Sequence, residues 1–438
     1  MIRQRTMQTV PQARSMALGV VAVALVALLL LPGQARAQIV HAVDGAHGQA
    51  YVDHVSQKAL EFTEKTGILV NIMTASGHRE QIAVWAAGGA LPDAIDIVSD
   101  NGLSFFRHSL FVDLRPYFER SSSVHLADFV PIALTAFTAP EDYDFQAGAL
   151  FAYPSFLHNY NAAINVPLFE NAGLVFPNDL GDAWNWETLA DYAKKLTVDI
   201  NSDGRLDRWG LFIPKTYLGW MPFFRHAGNP IYDRDFDPTE AFLNTEAAYD
   251  TLQFLVEMTA DQYFVWDNWR FNEGYTGISY AASPNYAQQM RERHLTIDYV
   301  PYAKGPGGAN GSEFQVAGTA IAATSDHPDL VWQWLRYLWG EKENVDEMIT
   351  RAQRIPALLA STDTFNALAS GWAPNAHIIL ASAGYPGSGL RPIVRDGRIL
   401  GIVTEWVHQA IDGRVPTSTA LTTAQEQLNA VFRELGVR

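Results

Sequence analysis

Cysteine is absent from all 438 residues. That excludes disulfides, thiolate metal sites, a cysteine nucleophile and the thioether through which a secreted chain is tethered to lipid. Also missing are a Gly-x-Ser-x-Gly elbow, a His-Glu-x-x-His pair and a glycine-rich phosphate loop ending in Lys. The commonest local signatures of hydrolase, zinc-peptidase and nucleotide chemistry are therefore lacking. Excess positive charge is lacking too: 31 basic residues face 47 acidic ones, a formal net charge of −16, which makes nucleic acid and anionic lipid poor partners. No apolar run reaches the roughly 20 residues needed to span a bilayer, and there is no Gly/Ser-rich or Pro-rich linker and no internal repeat.

The apolar run that does exist, Ala17 to Leu31, follows Arg3, Arg5 and Arg14, is broken by Pro32 and Gly33, and ends at Ala35-Arg36-Ala37. This is the pattern of a secretory signal peptide over residues 1–37, cleaved before Gln38. Its removal takes four Arg and no acid, deepening the net charge from −16 to −20. The expectation is a freely diffusing, monomeric protein of a Gram-negative periplasm, not a lipoprotein.

About 400 mature residues exceed what one hydrophobic core usually organises, so two domains are expected. After Gln38 the chain alternates strand and helix. Ile39–Val43 is a short apolar run, Val52, Val55, Ala59 and Phe62 share a helical face that stops at Gly67, and Ile68–Met73 resumes as a strand. Gln81–Ala87 then reads as a helix and Ile95–Val98 as a buried strand. Later segments continue the pattern, among them the strand Ala149–Pro154, the helix Thr188–Leu196 and the helix opened by Pro328. The fold class is α/β with parallel sheets flanked by helices. In such sheets ligands bind beyond the carboxyl ends of strands. That draws attention to Asp44-Gly45-Ala46-His47, to Thr74-Ala75-Ser76-Gly77 and to Ser99-Asp100-Asn101.

One loop stands apart. Asp199, Asn201, Asp203 and Asp207 fall at positions 1, 3, 5 and 9 of a calcium-type loop, with Gly204 at the turn and the carbonyl of Arg205 at position 7. Position 12 is Gly210 instead of a bidentate Glu. Two readings stay open: a structural Ca2+ site, or a metal-free turn in which Asp side chains cap backbone N–H groups. Either role is structural, and no cofactor is required for function.

A series of segments, in order, carries a family likeness: the signal peptide, Pro92–Ile97, Leu150–Pro154, Asn165–Leu174, Trp186–Leu189 through Lys194–Thr197, the Asp199 loop, Phe271–Gly274, Pro301–Gly308 and Ala317–Ala322. Across nearly the whole mature chain it resembles the bacterial extracellular solute-binding protein family 1, the maltose-binding-protein-like sugar receptors of ABC importers. It departs from the family at Ala162–Val166 and at Gly277-Ile278. The resemblance implies a two-lobed periplasmic binding protein fold, each lobe a mainly parallel sheet flanked by helices, joined by hinge strands around a ligand cleft. One lobe would hold residues 38–155 with about 279–340, the other 156–278 with about 341–438. It also implies binding without catalysis, and delivery of the solute to ABC permease subunits.

Sugars present apolar C–H faces and a rim of hydroxyls, so they call for aromatic platforms beside Asp, Asn or Arg. By the resemblance, Asp44 and His47 occupy the first ligand loop, Asp100 and Asn101 the loop where a carboxylate takes two hydroxyls, and Tyr217 and Trp220 the platform position. Ser76, His158, Asn159, Tyr160, Tyr280, Ser283 and Arg391 complete the expected cleft. A cationic or amine solute is the runner-up ligand, a secreted glycosidase the reading from another class, and a receptor feeding a sensor kinase a third.

Overall fold

The computed structural model describes residues 38–75, 78–266 and 269–437; the expected leader over 1–37 and Ser76 lie outside them. Among the described residues twelve strands occur in chain order. They are β1 (Gln38–Asp44), β2 (Leu69–Ala75), β3 (Ala94–Val98), β4 (Tyr153–Asn159), β5 (Asn161–Asn165), β6 (Trp209–Phe212), β7 (Phe264–Val265), β8 (Thr276–Ala282), β9 (Ile297–Val300), β10 (Glu313–Ile321), β11 (Ile355–Pro356) and β12 (Gly389–Leu390). They form two sheets, one ordered β11-β4-β10-β3-β1-β2 with β12 beside β10, the other β7-β6-β8-β5-β9.

The local rules act as expected where the sequence is periodic. Val55, Ala59 and Phe62 are buried along the helix Gln49–Thr66, which ends at Gly67 in a left-handed conformation (φ 79°) with its N–H donating to the Thr63 carbonyl. The helix Trp186–Leu196 starts at Asn185, whose side chain accepts from the Thr188 N–H. Parallel pairing holds for β1 with β2 and β3. It gives way at β10, which returns antiparallel to both β3 and β4, so the first sheet is mixed. The second is mixed as well, with β5 antiparallel to its two neighbours and β6 parallel to its own. Pro154 lies inside β4 instead of closing the preceding run, and the β4–β10 register shifts beside it, between Ala317 and Gly318. A residue without an N–H is accommodated at such an irregularity.

The division into lobes follows the sheets. Strands β8 and β9 belong to the second sheet, so residues 279–300 do not join the first lobe as expected. The helices between Pro328 and Ala381 bury Val331, Trp334, Met348, Phe365 and Ile379 against the first core. Only from Val394 onward does the C-terminal chain, through Val403, Ala410, Leu428 and Phe432, cover the second. The observed lobes are 38–159 with 313–393, and 160–312 with 394–437. Three crossings connect them: at Tyr160, the single residue between β4 and β5; between β9 and β10; and after β12. Apolar packing is continuous across the crossings, since Tyr286, Met290, Ile297 and Tyr299 of the second lobe pack into the first cluster.

Two buried polar contacts tie the lobes together. The Arg225 guanidinium of the second lobe donates to Glu313 (3.0 Å) and to the Leu390 carbonyl (2.9 Å) of the first. Asp237, fully buried, accepts from Tyr143 of the first lobe (2.5 Å) and from Arg395 (2.8 Å).

Candidate functional site

The site is assembled on Asp96, at the centre of β3. Its Oδ1 accepts from His41 Nε2 (2.9 Å) and Thr319 Oγ1 (2.9 Å), and its Oδ2 from the Tyr51 hydroxyl (3.0 Å) and the Asp44 N–H (3.2 Å). Trp334 Nε1 donates to His41 Nδ1 (3.2 Å), so His41 carries its proton on Nε2 and donates to Asp96. Burial, then the Asp96 charge, pushes the Tyr51 hydroxyl well above the usual phenol range and keeps it a donor. This network fixes the end of β1. Asp44 then caps the short turn Gly45–His47 through a 2.9 Å bond from the Ala46 N–H, and the His47 ring is delivered to the space beyond the strand ends.

That space is a cleft of about 370 Å³, within the size range of small-molecule sites. The first lobe contributes Asp44, His47, His158, Gln315 and Arg354, the hinge contributes Tyr160, and the second lobe contributes Leu218, Ser283 and Asn285. The rings of His47 and His158 stack at 5.7 Å, and His47 meets Tyr51 (5.1 Å) and Phe156 (4.9 Å) edge-on. Burial, reinforced by Arg354 and His47, lowers the His158 pKa well below the imidazole range, so this ring is neutral and offers one donor and one acceptor. At the hinge, Asn159 Nδ2 donates to the Ile379 carbonyl (3.1 Å) and to Ser382 Oγ (3.2 Å), anchoring the strand from which Tyr160 projects. Ser283 Oγ donates to Asn285 Oδ1 (3.0 Å) on the opposite wall.

Of the residues expected from sequence, the structure brings Asp44, His47, His158, Asn159, Tyr160 and Ser283 to one cleft. Asp100 sits one step behind it. Its Oδ1 accepts from Gln315 Nε2 (2.7 Å), which does line the cleft, and its Oδ2 pairs with Arg391 (3.2 Å). Arg391 in turn lies 5.8 Å from the centre of the Tyr217 ring, across from the second lobe. Asn101 shares the first turn of the helix Ser99–Arg107 and is not among the lining residues. Trp220 and Tyr280, expected as cleft aromatics, are core residues of the second lobe, 0% and 1% exposed. The reason is local: eight of the ten residues of the helix Tyr217–His226 are buried, and the residue it turns to the cleft is Leu218. Tyr280 is held inward by its edge-on contact with Tyr302 (4.5 Å) and by accepting the Ala303 N–H. Tyr217 is buried too, its hydroxyl without a hydrogen-bond partner among the described residues.

Sequence reasoning missed Gln315, Arg354, Asn285 and Leu218. The register of β10 against β4 pairs Gln315 with His158, a relation no local pattern reveals. Arg354 follows Gln353, whose left-handed backbone (φ 55°) ends the helix Lys342–Ala352 and turns the chain toward the cleft.

The Asp199 loop closes on itself. Asp199 accepts from the Asp203 and Gly204 N–H groups (3.3 and 2.8 Å), Asn201 from the Asp203 N–H (2.9 Å), Asp203 from the Arg205 N–H (2.9 Å), and Asp207 from the Ile200 N–H (2.7 Å). Among the described residues no three acidic or imidazole groups gather closely enough to hold a metal ion. These are the bonds of a turn capped by its own side chains. About 1 mM calcium is accordingly expected to move Tm by less than about 1 °C, whereas Asp199→Ala should cost about 0.5–1.5 kcal/mol. Thermal melting of both proteins with calcium and with chelator checks this; a rise of several degrees with calcium would identify the loop as a metal site.

Residues 46–345 match the model of the family described as bacterial extracellular solute-binding protein. No curated protein matches the chain. Solved structures do. An ABC substrate-binding protein of Listeria monocytogenes in complex with cycloalternan aligns with a TM-score of 0.75 at 19% identity, over 90% of this chain and 99% of that one. Maltose-bound MalE3 of T. maritima aligns at 0.71 and 16%, over 90% and 100%. The maltose/maltodextrin-binding domain of Bdellovibrio bacteriovorus bound to maltotriose aligns at 0.69 and 19%, over 91% and 100%. At these identities the likeness shows the two-lobed α/β fold.

Proposed function

The chain belongs to the bacterial extracellular solute-binding protein family, and from that premise we propose that it is the periplasmic receptor of an ABC importer, capturing a mono- or oligosaccharide in the inter-lobe cleft and presenting it to the permease. The observation that carries this reading is the position and lining of the cleft. It opens at the single-residue crossing Tyr160, between walls from different lobes, and sets ring faces from His47, His158 and Tyr160 beside hydroxyl-binding groups from Gln315, Ser283 and Asn285. Rotation about the crossings brings Leu218 and Ser283 toward His47 and His158 and squeezes out water. The polar groups then exchange water for sugar hydroxyls in a drier medium, where each hydrogen bond is stronger. The carbohydrate-binding relatives support the substrate class by analogy of fold.

Calorimetric titration of the mature protein against a panel of neutral and acidic sugars, polyols and amines tests the reading. The expected result is saturable binding of one saccharide class, one molecule per chain, with Kd of about 1 μM or tighter, and no product released from chromogenic glycosides. Turnover of a glycoside, or binding of an amine with silence across all sugars, would overturn it. The cleft wall itself speaks against the amine, since among the described residues Asp44 is its one lining carboxylate and is engaged as a cap.

A further inference from the structure

Among the described residues Arg354 is the one cation lining the cleft. It is half-buried, one of its terminal nitrogens donates to the His47 carbonyl, and the guanidinium lies 5.3 Å from the centre of the Phe156 ring. Its Nε is buried and has no hydrogen-bond partner, and among the described residues no carboxylate lies within ion-pairing distance of it. Several other half-buried arginines of this acidic protein are paired: Arg225 with Glu313 and Asp235, Arg391 with Asp100, Arg395 with Asp237, Arg107 with Asp144. A desolvated charge without a counter-ion is costly, and proteins retain one where something else supplies the opposite charge. Burial presses the Arg354 pKa below its ordinary value, yet a guanidinium stays charged in a protein. The neutral His158 next to it adds no competing anion.

Building on the saccharide-receptor reading, we propose that the ligand is an acidic saccharide, one carrying a uronic-acid carboxylate, and that Arg354 receives that carboxylate. The planar fork of a guanidinium offers parallel N–H donors matched to a carboxylate, and the Arg354 guanidinium lines the cleft with one terminal nitrogen committed to the His47 carbonyl. A single fork beside a neutral imidazole suits a monoanion; a phosphate dianion calls for more donors than this wall presents. Gln315 and, across the cleft, Asn285 are then left for the ring hydroxyls.

The test is titration with matched pairs, galacturonate against galactose and glucuronate against glucose, as monomers and as short oligomers, with glucose 6-phosphate as a third arm. The acid is expected to bind at least about 30-fold more tightly than its neutral partner, an advantage that shrinks with added salt. Arg354→Gln, with its circular dichroism compared to wild type, should collapse that preference to within about threefold. Arg354→Lys keeps the charge without the fork and should retain part of it, so the proposal stays testable if the Gln variant does not fold. Equal affinity for acid and neutral sugars, or tighter binding of the phosphate, overturns the carboxylate assignment and leaves the saccharide receptor standing. Silence toward every sugar, acidic or neutral, overturns the saccharide reading itself.

Discussion

Replacing Asp96 with Ala is expected to destabilise the protein by about 3–5 kcal/mol, the cost of stripping a buried charged acceptor from its partners. Four donors lose their acceptor at once: His41, Tyr51, Thr319 and the Asp44 N–H. All lie in the first lobe, on β1, β10 and the helix Gln49–Thr66, so the penalty is one of orphaned buried groups, each expensive in a low-dielectric interior. Asp96→Asn should cost less, because an amide keeps one acceptor oxygen. Urea unfolding gives the stability. A parallel titration reads the site, since the same carboxylate anchors the turn that carries His47, and ligand affinity should fall about tenfold. A variant with wild-type midpoint and affinity would show that the Asp44–His47 turn holds itself in place.

Acidification is expected to unfold the protein through two histidines remote from the cleft. Burial lowers the His54 pKa to about 3, helped by the charges of Lys58 and Arg351, and among the described residues neither ring nitrogen of His54 has a hydrogen-bond partner. Burial likewise lowers the His226 pKa to about 4, although Nε2 bonds the Gly311 carbonyl at 2.8 Å. Both pKa values lie below the ordinary 6.5 of the unfolded chain. The stability from keeping these rings neutral is therefore fully present above about pH 6.5 and is lost as pH falls toward the folded values. By pH 4.5 each ring should have withdrawn about 2–3 kcal/mol. Glu313 works in the opposite direction. Burial outweighs the attraction of Arg225 and raises its pKa to about 7, so its contribution is present in acid and is lost as pH rises from about 4.5 through 7. Urea midpoints between pH 4.5 and 8 should thus flatten on the acid side in His54→Leu and steepen there in Glu313→Gln. Parallel curves for all three proteins would refute the assignment.

Much of the framework was legible before any coordinates. Gly67 ending its helix, Pro328 opening another, and the β1 and β3 runs with polar loops after them are local patterns, and they locate Asp44 and His47 at the cleft. The errors have a common origin. Trp220 and Tyr280 have the chemistry of a sugar platform, but whether a ring faces a ligand or a core depends on which side of its element another element covers. The lobe boundary near residue 340 failed for the same reason, since the amphipathic helices between Pro328 and Ala381 fit either core by pattern and are assigned by contact alone.

By itself, the sequence determined the alternation of strands and helices, the absence of thiol chemistry, the acidic surface and the family, because each rests on composition, short-range periodicity or ordered motifs. Tertiary structure alone decided which polar groups meet. Arg354 lies 307 residues from the His47 carbonyl it contacts, and Gln315 reaches Asp100 across 215. Charges and hydrogen bonds act over a few ångströms, so a site made of distant segments comes into being only when sheet register and lobe packing bring them within that range.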